Sequence, residues 1–293
     1  MLVGIICAVL ASIAFGIGPV FTKELLAGGM DVFGIMLYPR ISTLIATGIV
    51  IIIRKTSLKV TKTQMWQLVL FCGVFNGLTA LLLVSSYNYL PLGIATMFHF
   101  IYPVIVMVGM IAFYKERVSV KKIIAAVLAV SGLSLILDLS GKMSLLGVAL
   151  ALGSGVAYAV YVIANRESSY QKLPVIVLIF YSSLINLILF AIVNIASGGL
   201  IIPTTLWEWL MITANGLISG LFAFLMMIIA IRRIGASNAA ITNMLEPITA
   251  LIAGVIIFNE KLNLSAILGC ILVILAITLM TLNKKRNNIK EAK

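Results

Sequence analysis

The chain has 293 residues, of which 62% are hydrophobic and only 10% charged, with a formal net charge of +12. That much apolar surface excludes a soluble globule, whereas lipid can solvate the outside of a helix bundle. The basic residues fall in short loops between apolar stretches, which excludes a nucleic-acid stripe and marks a membrane orientation signal.

A spanning helix needs about 20 apolar residues. The pattern predicts ten of them. The first, 3–23, carries Ser12, Phe15, Gly16, Gly18 and Pro19. No basic region precedes it, so it reads as a span rather than a cleaved signal. The second, 33–53, holds Arg40 about eight residues inside it. The third, 66–87, puts Asn76 and Thr79 on one face, and Asn88-Tyr89-Leu90-Pro91 separates it from the fourth, 92–113. There Thr96, His99 and Pro103 share a face. The fifth, 120–138, shows no polar stripe. The sixth, 144–164, leads Tyr158 and Tyr161 to Asn165 on one face. The seventh is 174–196. The eighth, 207–230, aligns Asn215, Ser219 and Phe222, and the ninth, 236–258, aligns Asn243 and Glu246 before Pro247. The tenth, 264–282, again lacks a stripe.

The three cysteines, Cys7, Cys72 and Cys270, all lie in apolar spans, and an odd count in lipid argues against disulfides. No Cys/His cluster has metal spacing, and no phosphate loop, nucleophile elbow or acidic metal motif is present. The expectation is therefore no cofactor, no metal and no enzyme activity.

Orientation follows from Lys and Arg. Seventeen of them fall in loops on one side, and three, Lys23, Lys142 and Lys261, fall on the other. This predicts a multi-pass protein of the cell membrane with both termini cytoplasmic. The chain also repeats itself. Pro103 through Glu116 matches Pro247 through Glu260 at an offset of 144, with Arg117 and Lys261 following. Gly4, Ala8, Ala14 and Phe15 meet Gly147, Ala151, Ala157 and Tyr158 at an offset of 143. The same alignment sets His99 opposite Asn243 and Tyr102 opposite Glu246. The expected architecture is an all-α membrane protein of two five-helix repeats, 1–141 and 142–283, with a basic cytoplasmic tail at 284–293. Five spans is an odd number, so the second copy is inverted. Inverted copies suit alternating access.

Several of these pieces together resemble the EamA family of the drug/metabolite transporter superfamily. They are Phe15-Gly16-Ile17-Gly18-Pro19 leading to Lys23, Arg40 in the second span, Tyr102-Pro103-Val104 through Glu116, and Glu246-Pro247 through Glu260. The resemblance covers essentially the whole chain. The family often has Trp where this chain has Phe15. The resemblance implies ten helices, a central cavity lined by spans 1, 3, 4, 6, 8 and 9, and movement of small organic solutes. Members handle amino acids, metabolites and drugs.

The expected function is a secondary transporter, an exporter of a small organic solute such as an amino acid or metabolite. The alternative is a membrane sensor or assembly factor that keeps the fold without net transport. Polar stripes on six helices favour transport. The expected partners are the solute and the lipid bilayer, with no nucleic acid, and a monomer is compatible with the pattern. Candidate solute contacts are His99, Tyr102, Asn243, Asn76, Tyr158, Tyr161, Asn215 and Phe15. Glu246 reads equally as a structural acid and as a cation or proton site. Its depth, about 6 Å from that of Arg40, predicts an ion pair between the two. Pro103, Pro247, Gly16, Gly18 and Pro19 are candidate hinges. Glu116 and Glu260 are expected to cap helices or pair with loop cations.

Overall fold

The computed structural model describes all residues except 1, 87, 91, 117–118, 137–143, 197–200, 259–263 and 292–293. At 92–94, 97, 136, 258, 266 and 280–291 it describes the backbone alone. The expected roles of Glu260, Lys261, Lys142, Arg117 and Lys293 lie outside the described residues.

All regular structure among the described residues is helical. Helix α1 (Leu2–Ala27) runs unbroken through Pro19 and ends at Gly29, whose φ of +88° only glycine adopts freely. Asp31 then caps α2 (Val32–Ile53) by accepting from the backbone N–H groups of Phe33 and Gly34. A capping box between Thr61 and Gln64 starts α3 (Lys62–Gln67), which passes through a π-helical segment, Leu68–Phe75, into α4 (Asn76–Ser86). Helix α5 (Leu92–His99) stops at a turn over Phe100 and Ile101, and α6 (Tyr102–Tyr114) begins beyond it. Helices α7 (Val120–Ile136) and α8 (Leu145–Glu167) follow, then a 3₁₀ turn at Ser169–Lys172 and α9 (Val175–Ala196). A second capping box, Thr205 with Glu208, opens α10 (Leu206–Asn215). A second π segment, Gly216–Ala223, joins α10 to α11 (Phe224–Ile234). Helix α12 (Ala236–Thr242), a 3₁₀ turn at Asn243–Leu245, α13 (Glu246–Phe258) and α14 (Leu264–Glu291) complete the chain.

Among the described residues, seven continuous helical stretches are long and apolar enough to cross a membrane, and Tyr102–Tyr114 and Ile267–Leu279 are shorter apolar helices. The expected fourth span is divided at Phe100–Ile101, because Pro103 has no N–H to bond to the His99 carbonyl and its ring crowds that carbonyl. Pro103 therefore sits in the first turn of α6, and Pro247 in the first turn of α13 after its 3₁₀ turn.

The radial distribution of polarity is that of a multi-pass membrane protein. Ile52, Phe113, Ile195 and Ile256 are exposed, whereas Ser12, Thr43, Asn186, Asn194 and Asn243 are buried. Helix α7 packs on α14, α2 on α9, α4 on α8, α1 on α11 and α13, and α6 on α8 and α12. Close contacts recur in pairs half a chain apart. A Cβ on Gly4 would lie 2.6 Å from Ile234, and one on Gly147 would lie 2.7 Å from Leu90. Thr43 Oγ1 donates to the Gly216 carbonyl at 2.7 Å, and Asn186 Nδ2 donates to the Cys72 carbonyl at 2.7 Å.

Candidate functional site

The residues before the two prolines meet at the centre of the bundle. The broken backbone at Asn243–Leu245 turns the Asn243 amide inward, where it bonds to three helices. Its Nδ2 donates to Tyr102 Oη on α6 at 3.0 Å and to Glu246 Oε2 on α13 at 2.8 Å. Its Oδ1 accepts from Ser12 Oγ on α1 at 3.1 Å. The other copy holds a counterpart, His99 Nδ1 to Ser154 Oγ on α8 at 2.9 Å. Ser154 Oγ also lies 2.6 Å from the Ala151 carbonyl, as Ser12 Oγ lies 2.8 Å from the Ala8 carbonyl.

Aromatic rings surround this network. Tyr102 and Tyr158 meet edge-to-face at 4.7 Å, and His99 lies 5.5 Å from Tyr102 and 5.4 Å from Tyr158. Tyr161 continues the layer 5.7 Å from Tyr158 and touches Phe224, which in turn packs on Phe15 at 5.1 Å. The structure therefore brings His99, Tyr102, Tyr158, Asn243 and Glu246 together, with Tyr161 and Phe15 at the margin. Neither Asn76 nor Asn215 bonds to this cluster among the described residues. The Nδ2 of Asn76 is buried without a partner there, and Asn215 lies beside Gly18. The expected face of Asn215, Ser219 and Phe222 is split, because the π segment changes the angular step. Ser219 turns to the Ala14 carbonyl of α1 at 3.4 Å, while Phe222 is exposed.

The glycines of the expected hinge are contact points. A Cβ on Gly16 would lie 2.6 Å from the Glu246 carbonyl oxygen and 2.5 Å from Thr249, and one on Gly18 would lie 2.8 Å from Ser219 Oγ. In the other copy a Cβ on Gly155 would lie 2.7 Å from the His99 carbonyl oxygen. Only glycine lets α1 and α8 approach these broken segments so closely.

The expected ion pair between Arg40 and Glu246 does not form. Depth is the only coordinate the sequence supplies, and α2 packs on α9 and the 216–223 segment rather than on α13. Arg40 faces a water-sized cavity of about 10 Å³ that it shares with Tyr161, Ser182, Ser183 and Phe224. A cation near the middle of a span costs about 2.5–3.5 kcal/mol on insertion scales, so an arginine there calls for a function or a partner. On the helix of Arg40, one turn earlier, Met36 lines an open cleft of about 450 Å³ with Asp31, Ser85 and Asn88. Sequence reasoning missed Ser154, Ser182, Ser183 and Phe224. The offset of 143 links Arg40 to Ser183 and was the available signal there; it sets Ser12 opposite Gly155, one residue from Ser154.

The pattern of one transporter family fits both halves of this arrangement, over residues 2–138 and again over 145–282. The chain belongs to the EamA-like transporter family. This EamA-like transporter is 31% identical over 229 residues to the threonine/homoserine exporter RhtA of Escherichia coli K12, covering 76% of this chain and 74% of that protein. The exporter of the same name in Salmonella typhimurium LT2 is 31% identical over 223 residues, covering 74% and 72%. The uncharacterized transporter YvbV of Bacillus subtilis is 26% identical over 259 residues, covering 85% and 83%. A crystal structure with 16% identity superposes with a TM-score of 0.84 over 97% of this chain and 98% of the other, which establishes the fold.

Proposed function

We propose that this EamA-like transporter is a secondary exporter of a small amino-acid-like solute. It works by alternating access between two inverted five-helix repeats, 1–141 and 142–283, with both termini in the cytoplasm. The carrying observation is the Asn243 amide, which ties Ser12 of α1 and Tyr102 of α6 to Glu246 of α13 in the bundle centre. A polar group satisfied by three helices in a membrane interior is held where moving helices cross, and a solute with hydroxyl or amino groups can exchange for such bonds. Two further facts support the reading. Contacts recur half a chain apart, as two copies related by a pseudo-twofold axis require, and relatives named as threonine/homoserine exporters are 31% identical over about three quarters of the chain.

The test is efflux from proteoliposomes containing the purified protein and preloaded with labelled threonine, homoserine, leucine or glucose. Efflux of a hydroxylated amino acid above empty liposomes is expected, with glucose retained. Retention of every amino acid would sink the proposal.

A further inference from the structure

We propose that the two π segments are a moving part. When the transporter turns to its other side, each travels five residues along its helix, to 73–80 in the first copy and to 211–218 in the second. The inference rests on the inverted-repeat reading above and adds the element that changes. The two helices concerned match closely. At the offset of 143, Gly73 and Gly77 meet Gly216 and Gly220, and the residues they touch keep that offset. A Cβ on Gly73 would lie 2.6 Å from Ile185, and one on Gly216 would lie 2.9 Å from Ser42, the counterpart of Ile185. Gly77 faces Asn186 and Gly220 faces Thr43, again 143 apart. The π segments break the match. Leu68–Phe75 maps onto 211–218, yet the second segment is Gly216–Ala223, five residues further on.

In inverted copies this mismatch has a direction. An axis in the membrane plane exchanges the copies and the two faces together. Giving each copy the other's conformation therefore produces the state open on the opposite side. On the proposed orientation the third span runs outward and the eighth inward, so both segments shift outward, by about 7.5 Å. A π turn can pass along a helix by exchanging backbone bonds one at a time, without unfolding it. The second glycine of each copy registers where the segment stands. In the second copy the π segment covers Gly220, and a Cβ there would run into Thr43 Oγ1. In the first copy the segment stops short of Gly77, and a Cβ there would lie 3.2 Å from Asn186 Oδ1, which need give only a few tenths of an ångström. Both facing side chains are anchored, Asn186 by its Nδ2 on the Cys72 and Ser182 carbonyls and Thr43 by its Oγ1 on the Gly216 carbonyl. A methyl group at Gly220 thus opposes the present state, and one at Gly77 opposes the exchanged state.

The test uses Cys7 as a reporter. It is buried at the end of the bundle where Gly4 abuts Ile234, while the open cleft lies at the other end. The exchanged state opens the end beside Cys7. Purified protein in detergent is treated with a bulky maleimide, and peptide mass spectrometry follows the label on Cys7. Gly220→Ala is expected to label about fivefold faster than the parent, and Gly77→Ala about fivefold slower. Two equivalent glycines that only pack helices would not push in opposite directions. Rates that move together, or do not move, overturn the inference. If Gly220→Ala does not fold, Gly77→Ala decides alone, and labelling as fast as the parent's or faster overturns it. Labelling needs no solute. A parent that exports no amino acid while the two variants separate keeps the switch and rejects the export reading. A parent that exports while the variants stay together keeps export and rejects the switch.

Discussion

Asn243 and His99 occupy matching positions, yet they carry unequal loads. Among the described residues, Asn243 bonds to Ser12, Tyr102 and Glu246, whereas the His99 side chain bonds to Ser154 alone. Side-chain hydrogen bonds in membrane bundles average about 0.6 kcal/mol, with a maximum near 1.7 kcal/mol. Asn243→Ala breaks three of them and leaves Glu246 without its donor, so a loss of about 2–4 kcal/mol is expected. His99→Ala should lose about 1 kcal/mol. Thermal melting in detergent ranks the two, and equal losses would refute the assignment of Asn243 as the junction. Asn243→Asp should be worse than Ala, because it sets a second carboxylate against Glu246. The positions of His99 and Asn243 were legible because proline spacing fixes them along the chain. Their partners were not, because Ser12 and Ser154 are chosen by the rotation of helices that the sequence leaves open. The expected Arg40–Glu246 pair failed for the same reason.

At the level of elements, the regularity of the apolar pattern concealed the two π segments, Leu68–Phe75 and Gly216–Ala223. A period of 3.6 residues reads straight through them, which is why Phe222 was expected beside Asn215 and Ser219 yet faces outward. Both segments carry glycines against the facing helix. A Cβ on Gly73 would lie 2.6 Å from Ile185, and one on Gly220 would lie 2.4 Å from Thr43 Oγ1. The obstacle at Gly220 is a single hydroxyl, so a double-mutant cycle isolates it. Gly220→Ala should destabilise by about 1–3 kcal/mol through overpacking. In a Thr43→Ala background its cost should drop by at least half, since the oxygen is gone. Gly216→Ala should find no such relief, because its obstacle is the Pro39 carbonyl at 2.4 Å. Strict additivity of Thr43→Ala and Gly220→Ala in melting experiments would show that the contact does not set the packing.

For the whole molecule, the repeated architecture is symmetric in backbone contacts but not in charge at its two ends. Beyond the left-handed Lys115, Glu116 pairs with Lys122 at the start of α7 and accepts from Ser237 Oγ of α12 at 3.0 Å. It thereby joins three elements at one end of the bundle. The matching positions of the other half are Glu260, Ala266 and Gly93 in sequence, and neither alanine nor glycine carries a group that could hold a carboxylate. The open cleft beside Asp31 and Asn88 lies at the α1–α2 turn, at the far end of α1 from Gly4 and its contact with Ile234. On the proposed orientation and alternating access, the latched end is cytoplasmic, and the latch is expected to favour the state closed to the cytoplasm. Glu116→Gln keeps size and hydrogen-bonding shape but removes the charge that Lys122 requires. Losing about 1–2 kcal/mol from one of two competing states shifts their ratio about 5–30-fold. Cys7 reports the shift, since it is buried in the first turns of α1 beside the latched end. In a Cys72→Ala, Cys270→Ala background, an impermeant maleimide added to inside-out vesicles should label Cys7 several-fold faster in Glu116→Gln than in the parent. Ser237→Ala should act in the same direction and more weakly, because the ion pair survives. Labelling that stays the same or slows would mean that the carboxylate at 116 merely ends its helix and takes no part in choosing the open face.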